Sequence, residues 1–319
     1  MDNINVSVLD KKRIPRPVAT VDTTINCPVC HQTVHYIDTE ASQLIGLREP
    51  YQVMVCSECG LGRLTPHLGP MEMETLYAQA YFDSPHASQV GFEDVEPVED
   101  YANTIASRIP KFSQTLNVLK KKFPGKQKFL DVGASTGDMV AIARQAGYQA
   151  EGVETSEFAV KRAREKWGIQ LMKGSLSEIE TESYDIVHLN HVFEHFTNPV
   201  AELKNMYRIL RNGGGLYLEI PYQFHVIERL HHRFAPRRVP FSLHSVHHPF
   251  FYTPNTIRRI LRDHGFQVHE LNVFSADRYP DSTSTEQIKR LLWKMISLIG
   301  IGNYIELIAI KRTSPVEKN

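Results

Sequence analysis

The sequence has no hydrophobic run long enough to cross a bilayer. Its most apolar late segment, MISLIGIGNYIELIAI, has 16 residues and carries Asn303 and Glu306. A spanning helix needs roughly 20 predominantly apolar residues. The opening stretch, MDNINVSVLDKKRIPRP, lacks the apolar centre of a secretory signal, so a cytoplasmic protein is expected. Net charge is also missing: 36 Lys plus Arg balance 36 Asp plus Glu. No global field therefore draws the chain to nucleic acid. What remains is an ordinary globular composition, 42% apolar and 23% charged over 319 residues, with enough length for a sizeable core.

Cysteine is scarce too, and its few positions are informative. All four cysteines fall in two Cys-x-x-Cys pairs, Cys27/Cys30 and Cys56/Cys59, with 25 residues between them. Each pair aims two thiolates at one point, and two such knuckles complete a tetrahedral zinc site. Gly60 follows the second pair, where a knuckle needs a permissive backbone. In a cytoplasmic chain disulfides are disfavoured, so a structural zinc in a ribbon over 22–70 is expected. Four thiolates leave no open coordination position, which excludes this metal from chemistry.

Residues 1–21 read as a loose arm and 71–124 as a helical linker, with an acidic stretch at 85–100 and a helix near 100–122. From 126 onward, strands and helices alternate. KFLDV, YQAEGVE, YDIVHLNH, GLYLEIP, FQVHELNVF and NYIELIAI read as strands. Ser156, Asn198–Pro199 and Thr253–Pro254 open helices, and Gly168, Gly213 and Gly265 close them. This alternation predicts an α/β fold, a mostly parallel doubly wound sheet with helices on both faces. An amphipathic helix over 286–299 would pack on the core or, in a homodimer, on a second copy.

FLDVGASTGDMV joins the first of these strands to its helix. Such a small-residue turn is a nucleotide-type site, but position 138 is Asp where a dinucleotide fingerprint needs Gly. Asp131 would repel a pyrophosphate and suits a cationic ligand. Glu154 ends the next strand 23 residues later, where a carboxylate accepts hydrogen bonds from a ribose diol.

The stretches LDVGASTGD, GVETS, YDIVHLNHVFEHF and LRNGGGLYLEIP resemble successive motifs of class I S-adenosylmethionine-dependent methyltransferases over about 126–275. The resemblance implies a seven-stranded Rossmann-like domain over 125–319 and S-adenosylmethionine as cofactor. Asp131, Gly133, Ala134, Ser135, Gly137, Glu154, Ser175, Asn190 and His191 would form its pocket. His195 is expected as general base with Glu194 as its orienting neighbour, and Tyr222 as a group holding the acceptor. Tyr81 would cover the pocket.

The segment 222–252 would build the acceptor site. It includes six of the fifteen histidines, among them His248, and Arg229, Arg233, Arg237 and Arg238. Such arginines suit a phosphate-bearing acceptor. A ribbon before this core resembles bacterial methyltransferases acting on sugars, which implies O-methylation of a sugar nucleotide or glycan. A quinone-like acceptor, deoxysugar C-methylation and a non-catalytic cofactor-binding scaffold are the alternatives.

Overall fold

The computed structural model describes residues 26–44, 47, 51–66, 69, 71, 73, 105–225, 229–230, 233–234, 248–274 and 302–313. The expected arm, the helix over 286–299, Tyr81, Arg237 and Arg238 lie outside them. Two sheets organise the chain. The smaller contains β1 (His35–Ile37), β2 (Gln52–Cys56) and β3 (Gly62–Thr65), with the short helix α1 (Thr39–Leu44) between the first two. Its fourth strand, β9 (Phe250–Phe251), comes from nearly two hundred residues downstream and pairs antiparallel with β3 through Gly62↔Phe251 and Arg63↔Phe250. The ribbon is thus completed by the segment expected to bind the acceptor.

The larger sheet has seven strands, β4 (Lys128–Val132), β5 (Gln149–Glu154), β6 (Met172–Lys173), β7 (Tyr184–Asn190), β8 (Leu210–Pro221), β10 (Phe266–Phe274) and β11 (Tyr304–Lys311). They lie in the order β10-β11-β8-β7-β4-β5-β6. Pairing is parallel from β8 to β6, and β11 runs antiparallel to both β8 and β10. The order reverses at β4, which has β5 on one side and β7 on the other, so a ligand crevice is expected at the carboxyl ends of those strands.

The helices are α2 (Ile105–Lys122), α3 (Asp138–Gln145), α4 (Glu157–Trp167), α5 (Pro199–Ile209) and α6 (Pro254–Asp263). Their starts follow local chemistry. The Ser156 side chain accepts from Ala159 N–H, Asn198 from Ala201 N–H, and Thr253 forms a reciprocal capping box with Thr256. One boundary differs from expectation: α5 ends at Ile209 rather than at Gly213. Leu210 already pairs with Tyr184 of β7, and the glycines lie in an irregular stretch before Gly215 meets Ile186. Sheet pairing overrides the helix-stop signal there.

Each face of the sheet carries its own core. Leu116, Leu119, Phe129, Val140, Ile186 and Tyr217 pack under α2 and α3. Leu203, Met206, Ile257, Ile260, Leu189 and Phe193 fill the opposite face, and Cys27, Cys30 and Cys56 belong to this second cluster. The ribbon therefore shares its interior with the larger domain.

Arg229, expected at an acceptor phosphate, has other partners. Its guanidinium bonds Asp38 Oδ2 at 2.7 Å and Glu40 Oε2 at 2.9 Å, tying the downstream segment to α1. Burial raises the pKa of Asp38, but Arg229 and the Ala41 N–H outweigh it and hold the carboxyl pKa below its ordinary value. A carboxyl lowered by folding contributes stability above its unfolded pKa and loses it as pH falls through the folded value. Asp38→Asn is expected to melt below the parent protein at pH 7. That gap should narrow progressively below about pH 4, as read by circular dichroism melts at several pH values.

Candidate active site

The turn after β4 is built for close contact. Gly133 and Gly137 have φ of +66° and +76°, the left-handed region where a side chain is strained. A Cβ at Gly133 would lie 2.5 Å from Val192 Cγ2, and one at Gly137 would lie 3.0 Å from Ala163. The small residues thus admit the loop after β7 and the helix α4. Ser135 is also left-handed, at φ 48°, and its buried hydroxyl has no hydrogen-bond partner among the described residues. Asp138, where a dinucleotide fingerprint would need Gly, anchors this end of α3. It accepts from Trp167 Nε1 at 2.7 Å and pairs with Lys166 at 3.0 Å.

Glu154 closes the next strand against the same turn. One oxygen accepts from Ser135 N–H at 2.8 Å, and the other from Thr155 and Ser156 N–H at 2.8 and 2.9 Å. Burial nevertheless prevails over these bonds and raises its pKa. Asp131 has a different setting from the one expected for a residue facing a cationic ligand. Its Oδ1 lies 2.7 Å from His188 Nδ1, directly across the β4–β7 pair. The His188 ring stacks on Tyr217 at 5.0 Å beneath the helical layer. Ser175 is exposed at the start of a short turn, its hydroxyl 2.6 Å from that of Ser177.

After β7 the chain enters a charged network. His191 adopts φ 55° and reaches Glu219 Oε1 with Nε2 at 3.3 Å and Glu194 Oε1 with Nδ1 at 3.4 Å. Burial pulls the imidazole pKa down, but the two carboxylates prevail and raise it to about 9. His191 is therefore a cation at neutral pH and no proton acceptor. Glu219 is also paired with Lys111 of α2. Burial raises its pKa, yet His191 and Lys111 overcome that and bring it to about 2. The Tyr217 hydroxyl donates toward Glu219 at 3.3 Å and Glu306 at 3.0 Å. These two acids face each other across β8 and β11, where like charges alone would repel.

Sequence reasoning missed Glu219 and Lys111. A signal for the first was present, since GLYLEIP sets one acid inside an apolar strand. Nothing pointed to Lys111, which lies 108 positions away in sequence.

Glu194 and His195 occupy a short turn, Phe193–His195. The orienting hydrogen bond expected between them is not formed: His195 Nε2 is 3.9 Å from Glu194 Oε1. His195 instead packs edge-on against His248 at 4.8 Å, and Gln223 Nε2 contacts His248 Nδ1 at 3.2 Å. Asn190, at the end of β7, is half-buried. Tyr222 lies with its ring 5.6 Å from that of His225, and its N–H donates to Asn303 O at 2.6 Å. Arg233 is exposed.

On the ribbon side, the Sγ atoms of Cys27 and Cys59 are 3.5 Å apart, and those of Cys30 and Cys56 are 3.4 Å apart. All four lie within 4.8 Å of one another. A disulfide needs about 2.05 Å, whereas four sulfurs around zinc at about 2.3 Å would sit roughly 3.8 Å apart. The cluster fits a zinc ribbon.

Among solved structures, the chain is similar to a methyltransferase of Thermotoga maritima, described as a possible histamine N-methyltransferase. Identity is 22%, covering 63% of this chain and 89% of that one, with a TM-score of 0.44. It is also similar to magnesium protoporphyrin IX methyltransferase of Synechocystis (18%, 73% and 97%, TM-score 0.46). A third is a putative methyltransferase complexed with the Trm112 activator from Haloferax volcanii (16%, 66% and 96%, TM-score 0.47). No curated protein matches the sequence. Among the described residues no helix is long and apolar enough to cross a membrane. The methyltransferase domain family matches residues 99–271, more than half of the chain and all of the sheet from β4 to most of β10, and the protein belongs to it.

Proposed function

We propose that the protein transfers a methyl group from S-adenosylmethionine to a hydroxyl of a sugar nucleotide or glycan, in polysaccharide or glycoconjugate synthesis. The observation that carries the transfer reading is the meeting of three strand ends, those of β4, β5 and β7, where the strand order reverses. The Gly133–Gly137 turn, the Glu154 carboxylate and the loop after β7 adjoin there. A nucleoside seated there would find ribose acceptors at Glu154.

In the transfer, a lone pair of the acceptor oxygen forms the new C–O bond as the methyl–sulfur bond breaks toward sulfur. The hydroxyl proton must leave, and we assign its removal to the Glu194–His195–His248 cluster, with His195 at its half-buried edge. Tyr222 would help hold the acceptor. The sugar class rests on the ribbon-plus-core arrangement and on the histidine- and arginine-rich segment that follows β8. The cysteine cluster would hold its zinc as a structural ion.

Titration calorimetry with S-adenosylmethionine tests the first half of this reading, and absence of binding would sink it. Glu154→Gln replaces one accepting oxygen by an N–H donor facing the N–H groups that Glu154 now receives. Affinity for S-adenosylmethionine should fall by roughly ten- to a hundredfold, about 1.4–2.7 kcal/mol, with the fold retained by circular dichroism. The acceptor is tested by offering sugar nucleotides, glycans and quinone-like phenols with methyl-labelled cofactor. Label in the sugars supports the reading, and label only in the phenols overturns it.

A further inference from the structure

Glu194 poses a problem that the protein's own groups leave unsolved. Its side chain is 2% exposed, and among the described residues neither carboxylate oxygen finds a hydrogen-bond donor. Burying an ionised carboxylate without such bonds is strongly unfavourable. The nearest cation, His191, lies 3.4 Å from Oε1 and is shared with Glu219. The Tyr252 hydroxyl, also buried in this region, has no hydrogen-bond partner among the described residues either.

Two imidazoles converge on the same point. One ligand atom each from Glu194, His195 and His248 lie within 4.8 Å of one another. A cation held at about 2.1 Å by such donors would draw them to roughly 3–3.5 Å, so His195 Nε2, now 3.9 Å from Glu194 Oε1, needs to move less than 1 Å. Gln223 Nε2 lies 3.2 Å from His248 Nδ1; with the amide turned over, its oxygen would accept from Nδ1–H, the outer bond that fixes a liganding ring.

We propose that Glu194, His195 and His248 form a second metal site, distinct from the four cysteines, for a divalent transition cation. Two nitrogen donors and one oxygen favour zinc, cobalt or iron over magnesium or calcium. Three protein ligands leave a position open, the pattern of catalytic rather than structural ions.

The role of this ion rests on the transfer reading above, whereas its binding does not. With the ion in place, His195 is a ligand, and proton removal becomes ionisation of the acceptor hydroxyl at the open position. The proton passes to solvent, the oxygen lone pair forms the C–O bond, and the methyl–sulfur electron pair goes to sulfur.

Cobalt titration of the full-length protein, freed of metal at low chelator strength, tests the site. Cobalt in the cysteine cluster gives intense thiolate charge-transfer absorption. The expected result is a further equivalent that adds only weak visible bands, with no thiolate signature, and a matching zinc equivalent by elemental analysis. Glu194→Gln and His248→Gln should each lose that equivalent and keep the thiolate bands. The site is overturned if the native protein takes up metal only with thiolate signature, or if both variants retain the second equivalent. The native titration decides the matter even where a variant folds poorly. Calorimetry with S-adenosylmethionine on the same preparation separates failure of this site from failure of the transfer reading.

Discussion

Glu219→Ala is expected to lower the melting temperature by about 10 °C. The buried carboxylate faces Lys111 from α2 and His191 from the loop after β7, and receives the Tyr217 hydroxyl. Removing it leaves Lys111 without that partner and His191 with Glu194 alone. Breaking a buried pair from one side costs about 3–5 kcal/mol, and each kcal/mol shifts the midpoint by roughly 2–4 °C in a domain of this size. Glu219→Gln keeps the shape and an accepting oxygen, so its loss should be smaller.

A cycle with Lys111→Met separates pairing from packing. If the charges act as a unit, the double variant Glu219→Ala/Lys111→Met will be more stable than the sum of the single losses predicts. Strict additivity in differential scanning calorimetry would show that Glu219 acts without Lys111.

That network marks the boundary of what could be read from the chain alone. Local chemistry was legible: the caps at Ser156, Asn198 and Thr253, the paired cysteines, and the alternation that gives the sheet. These depend on residues a few positions apart. The pairing of β9 with β3 joins residues 62–63 to 250–251, and no composition or spacing announces it. The same holds for Arg229, whose charge suggested a phosphate but is balanced by Asp38 and Glu40 some 190 positions away.

Asp131 shows a subtler limit. It lies one residue before the end of β4, and its facing residue stayed hidden until strand order made His188 its neighbour. The glycines of the turn carry the same lesson, because Val192 and Ala163 require their smallness from within the protein.

The second large effect should come from the ribbon. Replacing Cys27 by Ser should remove one zinc equivalent and unfold the ribbon before heating, leaving the larger sheet to melt alone at a lower temperature. Zinc binding in small structural sites supplies about 10–16 kcal/mol of folding free energy, as much as the whole net stability of a typical domain, about 5–15 kcal/mol. The strands β1 to β3 are short and have little core beyond Val53, Leu64 and their neighbours, so they should not hold without it. The seven-stranded sheet has its own two-faced core and should persist. The damage should still reach the turn with Glu194 and His195, because Phe193 and Tyr252 share an apolar cluster with the cysteines and β9 would lose its partner strand. S-adenosylmethionine binding should therefore survive in Cys27→Ser while turnover of the acceptor fails. Should the variant melt in a single step at the native temperature with its zinc intact, the cysteines are not the ligands and the ribbon stands on packing alone.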